Sequence, residues 1–412
     1  MKIKVLNWAK QFSTFCMLDN HLYAIEPHTE ECIIGAGIRR ELRLQAGHAL
    51  PALQSFIREE KSWLFGHLGY DLKNEIENLT SSGKDNLLFP DVYFFEPEVI
   101  IQLTKKTIHI TAAQPEKVYE DLCKMDLSSE EKNRRNKLQV QSRLTKEEYV
   151  KTIEALQKHI VRGDCYEINF CNEFFATDAL IDPLSVYQQL TAYSPNPFAA
   201  IYRLENKWLL CASPERYLGK KGKTIFSQPI KGTSKRMSSN INADEENKRA
   251  LRESRKEQAE NVMVVDLVRN DLSKICEEGS VKVDELFGIY SFPQVHQMIS
   301  TISGTLQEKM DFASIIRATF PMGSMTGAPK KRVMELIEQY EITKRGIFSG
   351  SVGYLTPEGD FDLNVVIRSI LYNADKNYLS FPAGSGITFY SQPEKEWEEC
   401  LMKAEAMKKV LE

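Results

Sequence analysis

Two pairs of glutamates, Glu257 with Glu260 and Glu396 with Glu399, stand three residues apart, and Lys403 follows the second pair by four. In helical segments that spacing puts each set on one face. One reading is a solvated charged face, since glutamate is rarely buried. The other is that four carboxylates converge on a hard cation, and Mg2+ fits because it takes oxygen ligands while keeping waters for a substrate. Lys231, in Ser227-Gln228-Pro229-Ile230-Lys231-Gly232-Thr233, lies sixteen residues after Glu215. A lysine and a carboxylic acid can serve as nucleophile and general acid, or stand as an exposed turn lysine and a loop acid paired with Arg216. Arg368 interrupts the apolar run Asn364-Val365-Val366-Ile367-Arg368-Ser369-Ile370-Leu371 and needs an anion there, either a buried carboxylate or a substrate carboxylate held bidentately. Backbone approach to an anion is offered at Gly384-Ser385-Gly386 and in the small-residue loop 320–330, which carries Thr326 and delivers Pro329 into a helix.

These residues require elements to hold them. Thr145-Lys146-Glu147-Glu148 is a capping-box pattern that opens a helix running to Gly163. Further helices are predicted over 184–192, 242–277, 328–341 and 394–411, the second with Val262, Val265, Leu267 and Val268 toward a core. Strands are expected over 167–175, 199–204, 208–212, 351–354, 363–371 and 378–381. Before them come short β-like runs at 22–25, 33–34, 63–68 and 92–95, and a hairpin over 98–111 turning at Lys105-Lys106. Strands and helices mix without a repeating βαβ rhythm, so the fold class is α+β. The division expected is a β-rich N-terminal subdomain over 1–124, a polar linker over 125–144 and a catalytic domain over 145–412.

With 53 Lys+Arg against 57 Asp+Glu in 412 residues the net charge is −4, which argues against a nucleic-acid binder. No apolar run approaches membrane-spanning length and the opening residues lack a signal-peptide pattern, so a cytoplasmic protein is expected. Eight scattered cysteines without a C-x-x-C pair read as reduced core thiols. Gly222-Lys223-Thr224 lacks the earlier glycine of a phosphate loop, since that position is Tyr217. Arg40 and Phe389 break the two G-x-G-x-x-G starts at Gly35 and Gly384. Neither a G-x-S-x-G elbow nor an H-E-x-x-H is present.

Taken together, ASPER (212–216), PIKGT (229–233), the segment 257–271, FPMGSMTGAPK (320–330), GSVGYL (350–355), VVIRS (365–369), GSGI (384–387) and the 396–403 face resemble the chorismate-utilising enzymes, a family of anthranilate, isochorismate, salicylate and aminodeoxychorismate synthases. The resemblance runs from about Thr145 to Glu412, and more loosely at 65–75. PIKGT is similar to the aminodeoxychorismate synthase component I pattern, whereas anthranilate synthases carry alanine at the position of Lys231. The resemblance implies two large packed β-sheets flanked by helices, with chorismate in a cleft between them. It implies amination of chorismate to 4-amino-4-deoxychorismate, on the route to p-aminobenzoate and folate, through a covalent adduct on Lys231 with Glu215 as general acid. Glu260 and Glu399 would hold Mg2+, with Glu257 and Glu396 acting more remotely. Arg368 and the amides near Gly384 and Gly386 would take the enolpyruvyl carboxylate, and Lys403 would add positive charge for the dianion. For this chemistry Lys231 must lose its proton and Glu215 must keep its own. Gln297 occupies the place of a histidine found in pyruvate-eliminating members, with His296 beside it. Phe348 replaces a frequent tyrosine, and Cys400 a frequent threonine, the latter as neutral packing. The leucine-rich serine motif of tryptophan-regulated members is not evident at 15–20. No class I glutaminase elbow is present, so ammonia is expected from a separate glutamine amidotransferase, and no appended lyase is expected. An anthranilate or isochorismate/salicylate synthase, or a non-catalytic chorismate-binding subunit, is the alternative.

Overall fold

Strands buried on both faces must be apolar nearly throughout, and the runs Phe198–Leu204 and Lys207–Ser213 satisfy this. They lie at the middle of a large antiparallel sheet in a computed structural model that describes residues 1–23, 30–126, 137–237 and 239–412. Among the described residues this first sheet has 11 strands and a second has 10. One apolar core joins residues of both sheets, including Cys16, Phe65, Phe95 and Tyr202, to the helices Ala49–Glu59, Arg255–Ser273 and Phe312–Thr319. Another binds the first sheet to Lys146–Arg162, Pro183–Tyr193, Lys330–Tyr340 and Pro393–Leu411. The α+β arrangement of two packed sheets with flanking helices therefore matches the expectation.

The N-terminal strands do not form a sheet of their own. Thr14–Asp19 pairs with Phe198–Leu204 in the first sheet, and Leu64–Leu68 pairs with Ser351–Leu355 in the second. Residues 127–136 of the expected linker lie outside the described residues; beyond them Gln141–Ser142 already pairs with Glu167–Ala176. The expected capping box is present, with the Thr145 hydroxyl and the Glu148 carboxylate each accepting the other residue's backbone N–H. The hairpin forms as Val99–Leu103 and Ile108–Thr111.

Three expectations are corrected. At 22–25, Leu22 lies in a turn with φ +63°, and positions 24 and 25 are outside the described residues. The single helix over 242–277 is two, Ile241–Glu253 and Arg255–Ser273, because the Ser254 hydroxyl accepts the Glu257 N–H and starts a new helix. On the second helix Val262 faces solvent and Leu267 is only partly covered, while Val265 and Val268 are buried. The strand over 363–371 is also two. Phe361–Asn364 belongs to the second sheet and Ser369–Asn373 to the first, so the chain crosses between sheets at 365–368.

A second crossing runs beside it, from Lys207–Ser213 in the first sheet to Arg216–Lys221 in the second. The crossings are hydrogen-bonded together: Val365 N–H donates to the Glu215 carbonyl at 3.0 Å, and Ala212 N–H to the Arg368 carbonyl at 3.1 Å. Glu215 and Arg368 are thus placed side by side.

Candidate active site

A cleft with about 1070 Å3 of free space, partly open to solvent, lies where the two sheets exchange chain. Its walls carry Lys231 on Ile230–Lys235, Glu257 and Glu260 on Arg255–Ser273, Gly384 and Gly386 on Tyr378–Ile387, and Glu399 and Lys403 on the C-terminal helix. Glu215, Arg368 and Gln297 complete the set. A separate cavity of about 530 Å3 between Leu18, Tyr23, Phe198 and Tyr354 contains none of the candidate residues.

Glu215 is buried, and Arg216 is not its partner; Arg216 instead binds Asp362 at 2.8 Å and the Gln228 amide oxygen at 2.6 Å. Burial pushes the Glu215 carboxyl up to about 7, against the opposing effects of the Ser324 hydroxyl, which donates to it at 2.5 Å, and of the Lys231 charge. A proton-bearing acid near neutral pH is what the sequence requires here.

Lys231 behaves oppositely to the expectation. Burial alone would depress its ammonium, but the carboxylates of Glu167, Glu260 and Glu399 outweigh burial and hold it above the ordinary lysine value. Its Nζ donates to Glu167, a buried residue absent from the sequence-derived set.

Arg368 faces the cleft from a left-handed backbone position, φ +51°. Among the described residues its guanidinium makes no hydrogen bond or ion pair, so the internal-carboxylate reading of Arg368 fails. Burial lowers its proton affinity. Only the more distant Glu399 carboxylate opposes that effect, so the guanidinium keeps its hydrogen-bonding capacity toward the cleft.

Three of the four paired glutamates reach the cleft. Glu396 does not line it; strand alternation turns Ser385 away from the cleft while Gly384 and Gly386 face it, and Ser385 Oγ donates to Glu396 at 2.6 Å. Glu399 holds Lys403 at 2.7 Å, which together with the other cations keeps its carboxyl below the usual value, and Lys403 Nζ also donates to the Gly384 carbonyl at 2.9 Å. Burial raises the carboxyls of Glu257 and of Glu260, the latter to about 7. Glu260 Oε1 is buried without a hydrogen-bond partner, its charged neighbour being Lys256 at 3.7 Å. An orphaned carboxylate oxygen among all-oxygen donors fits a hard divalent cation. Among the described residues no group of three or more His, Cys, Asp or Glu side chains is already assembled as a metal cluster.

Thr326 is fully buried and outside the cleft; its hydroxyl donates to the Met322 carbonyl at 3.1 Å and its own carbonyl accepts Asn169 N–H, so it shapes the loop. Gln297 does face the cleft, with Oε1 buried and unpartnered, while neighbouring His296 points the other way to Ser291 and Asp244. Phe348 lines the cleft, and Cys400, expected as neutral packing, is buried with its Sγ donating to the Ala383 carbonyl at 3.2 Å. All eight cysteines are free, Cys123 alone being exposed. Residues missed in sequence include Glu167, Asn169, Lys256 and Ser324; the only signal was polar side chains at alternate positions, Glu167 and Asn169, in a predicted strand.

A family model described as chorismate binding enzyme matches residues 19–409. The chain belongs to the chorismate binding enzyme family. The aminodeoxychorismate synthase component 1 of Escherichia coli (strain K12) is 34% identical over 351 residues, 84% of this chain and 76% of that protein. An anthranilate synthase component I-like protein of Synechocystis is 34% identical over 355 residues, 85% of this chain and 72% of that one. The anthranilate synthase component I structure from Streptococcus pneumoniae superposes with a TM-score of 0.81, covering 94% of this chain and 93% of that one at 24% identity, which speaks to fold. Among the described residues no helix is long and apolar enough to cross a membrane.

Proposed function

We propose that this chain is component 1 of an aminodeoxychorismate synthase, converting chorismate and ammonia to 4-amino-4-deoxychorismate and water. Relatives bearing that name over most of the chain support the reading. The observation that carries it is the meeting in one cleft of Lys231 and a buried Glu215, whose carboxyl burial raises to about 7 so that a protonated fraction persists at neutral pH.

Chorismate is a dianion. Arg368, free of any partner among the described residues, takes the enolpyruvyl carboxylate, and Lys403 adds positive charge. Glu260 and Glu399, with Glu257 close by, would hold Mg2+, whose charge would offset the ring carboxylate. Glu396, which does not line the cleft and accepts from Ser385, would act on that set only from outside it. Lys231, once neutral, attacks ring C2; the ring double bond shifts, the C4–O bond breaks, and Glu215 protonates the departing hydroxyl as water. Ammonia then bonds to C4 as the C2–Nζ bond returns its electrons to Lys231. The ammonia is supplied by a glutamine amidotransferase partner, consistent with the absence of a glutaminase elbow in this sequence.

The test is to incubate the purified chain with chorismate, Mg2+ and excess ammonium and identify the product by mass spectrometry, with Lys231→Ala in parallel. The wild-type chain forms aminodeoxychorismate; Lys231→Ala binds chorismate but forms none. Full product formation by Lys231→Ala, or anthranilate, isochorismate or salicylate from the wild type, would refute the assignment.

A further inference from the structure

We propose that Glu167 takes the proton from Lys231 and orients its amine, making the two a working pair in the reaction; this rests on the nucleophilic role of Lys231 given above. Glu167 opens the strand Glu167–Ala176 in the first sheet, whereas Lys231 lies on an edge strand of the second. Their ion pair therefore bridges the two sheets at the cleft wall. Lys231 Nζ donates to Glu167 Oε1, while Glu167 Oε2 is buried with no hydrogen-bond partner. Gly386 shows how closely the pair is seated. A Cβ built on it would stand 2.3 Å from Glu167 Oε1 and 2.6 Å from Lys231 Nζ, so the backbone of that strand lies directly against both groups.

The other charges acting on Nζ come from separate elements. Glu260 belongs to the helix Arg255–Ser273, Glu399 to the C-terminal helix, and Glu215 to the crossover. Glu215 is required as an acid, Glu399 is engaged by Lys403, and Glu260 belongs to the cation set. Glu167 alone among these carboxylates is hydrogen-bonded to Nζ, and it retains a second oxygen free to hold a proton. A buried ion pair is poor at adding stability compared with apolar packing. One that keeps a nucleophile charged would be inhibitory unless the carboxylate can accept the proton.

The balance is as follows. The Nζ proton passes to Glu167 as the Nζ lone pair bonds to ring C2. The C4 hydroxyl leaves as water with the Glu215 proton, and the adduct nitrogen is cationic. Ammonia then bonds to C4, the C2–Nζ electrons return to nitrogen, and Glu167 gives its proton back to Nζ. The new C4 ammonium restores the proton of Glu215. The sum is chorismate plus ammonia giving aminodeoxychorismate plus water.

The experiment uses Glu167→Gln, similar in shape but unable to accept the proton, and Glu167→Asp, which retains a carboxylate. In ammonium- and Mg2+-supplied assays, Glu167→Gln should lose about 100-fold in kcat at pH 7 with little change in KM for chorismate. Its rate should climb steeply with pH as bulk hydroxide replaces the missing base. Glu167→Asp should recover part of kcat and the wild-type pH profile. A Glu167→Gln rate at pH 7 equal to or above wild type would overturn the proposal, since Glu167 would then merely restrain Lys231. A second readout needs no turnover: acylation of Lys231 by acetic anhydride, mapped by mass spectrometry, should begin at least about one pH unit lower in Glu167→Gln. Identical labelling profiles would refute the coupling. If Lys231→Ala stays active, the nucleophile assignment fails whatever the labelling shows.

Discussion

Replacing Arg368 separates substrate binding from folding with unusual clarity, because its guanidinium has no partner among the described residues. Arg368→Met keeps an unbranched apolar stem and removes the charged head, and both residues carry the same backbone burden at φ +51°. In the apo protein no carboxylate is orphaned by the change, and a buried charge is relieved. The unfolding free energy should therefore stay level or rise by up to about 1 kcal/mol. With chorismate present, a charge-assisted pair is lost, worth about 2–3 kcal/mol, which weakens binding about 30- to 150-fold. Titration calorimetry with chorismate and Mg2+ measures one arm and thermal unfolding of the apo chain the other. Binding within about threefold of wild type, or an apo melting point lowered by about 5 °C or more, would refute the reasoning.

Glu215 should impose an alkaline limb near pH 7 on turnover, since its burial-raised carboxyl donates a proton only below that value. Ser324→Ala removes a hydrogen bond that favours the ionised form, so the limb should move up by about one unit in a pH–rate profile. Gly386→Ala should abolish most turnover at a stability cost of about 1–3 kcal/mol, because the added carbon meets flexible side-chain ends. Gly384→Ala drives a Cβ to 1.9 Å from the Phe170 carbonyl and should unfold far more readily in thermal melts. Arg345→Leu should cost about 3–5 kcal/mol in chemical denaturation. It strands Glu341 and frees the Met325 and Asn169 carbonyls that Arg345 ties to the cleft floor.

Local signals were readable where one segment carried its own reason. The Thr145 box and the apolar runs of the central strands needed no distant partner, whereas Lys231 and Glu215 stood out only through the family resemblance. Pairwise facts were not readable. Nothing in Glu167 announces a lysine 64 residues away, and the spacing that aligned Glu396 with Glu399 does not reveal that Ser385 occupies the former. The Ser254 break was written as a serine three residues before Glu257, yet surrounding helix formers masked it. Arg368 lines the cleft, as an arginine in an apolar run suggested, but its apolar neighbours implied one strand. They are apolar because the crossover is buried between two sheets. Likewise, the composition change near residue 125 gave no sign that the first strands pair with much later ones, since such pairing leaves no local trace.

That long-range pairing bears on biosynthesis. One edge of Leu64–Leu68 pairs with Val92–Glu96 nearby, but its other edge finds its partner in Ser351–Leu355, almost three hundred residues further on. A ribosome emits the first of these long before the second, so apolar strand edges wait unpaired while most of the polypeptide is made. Closure of either sheet is consequently a late and slow event. In the cell, holdase chaperones that shield exposed strand edges should govern the yield of this enzyme more than its final stability does.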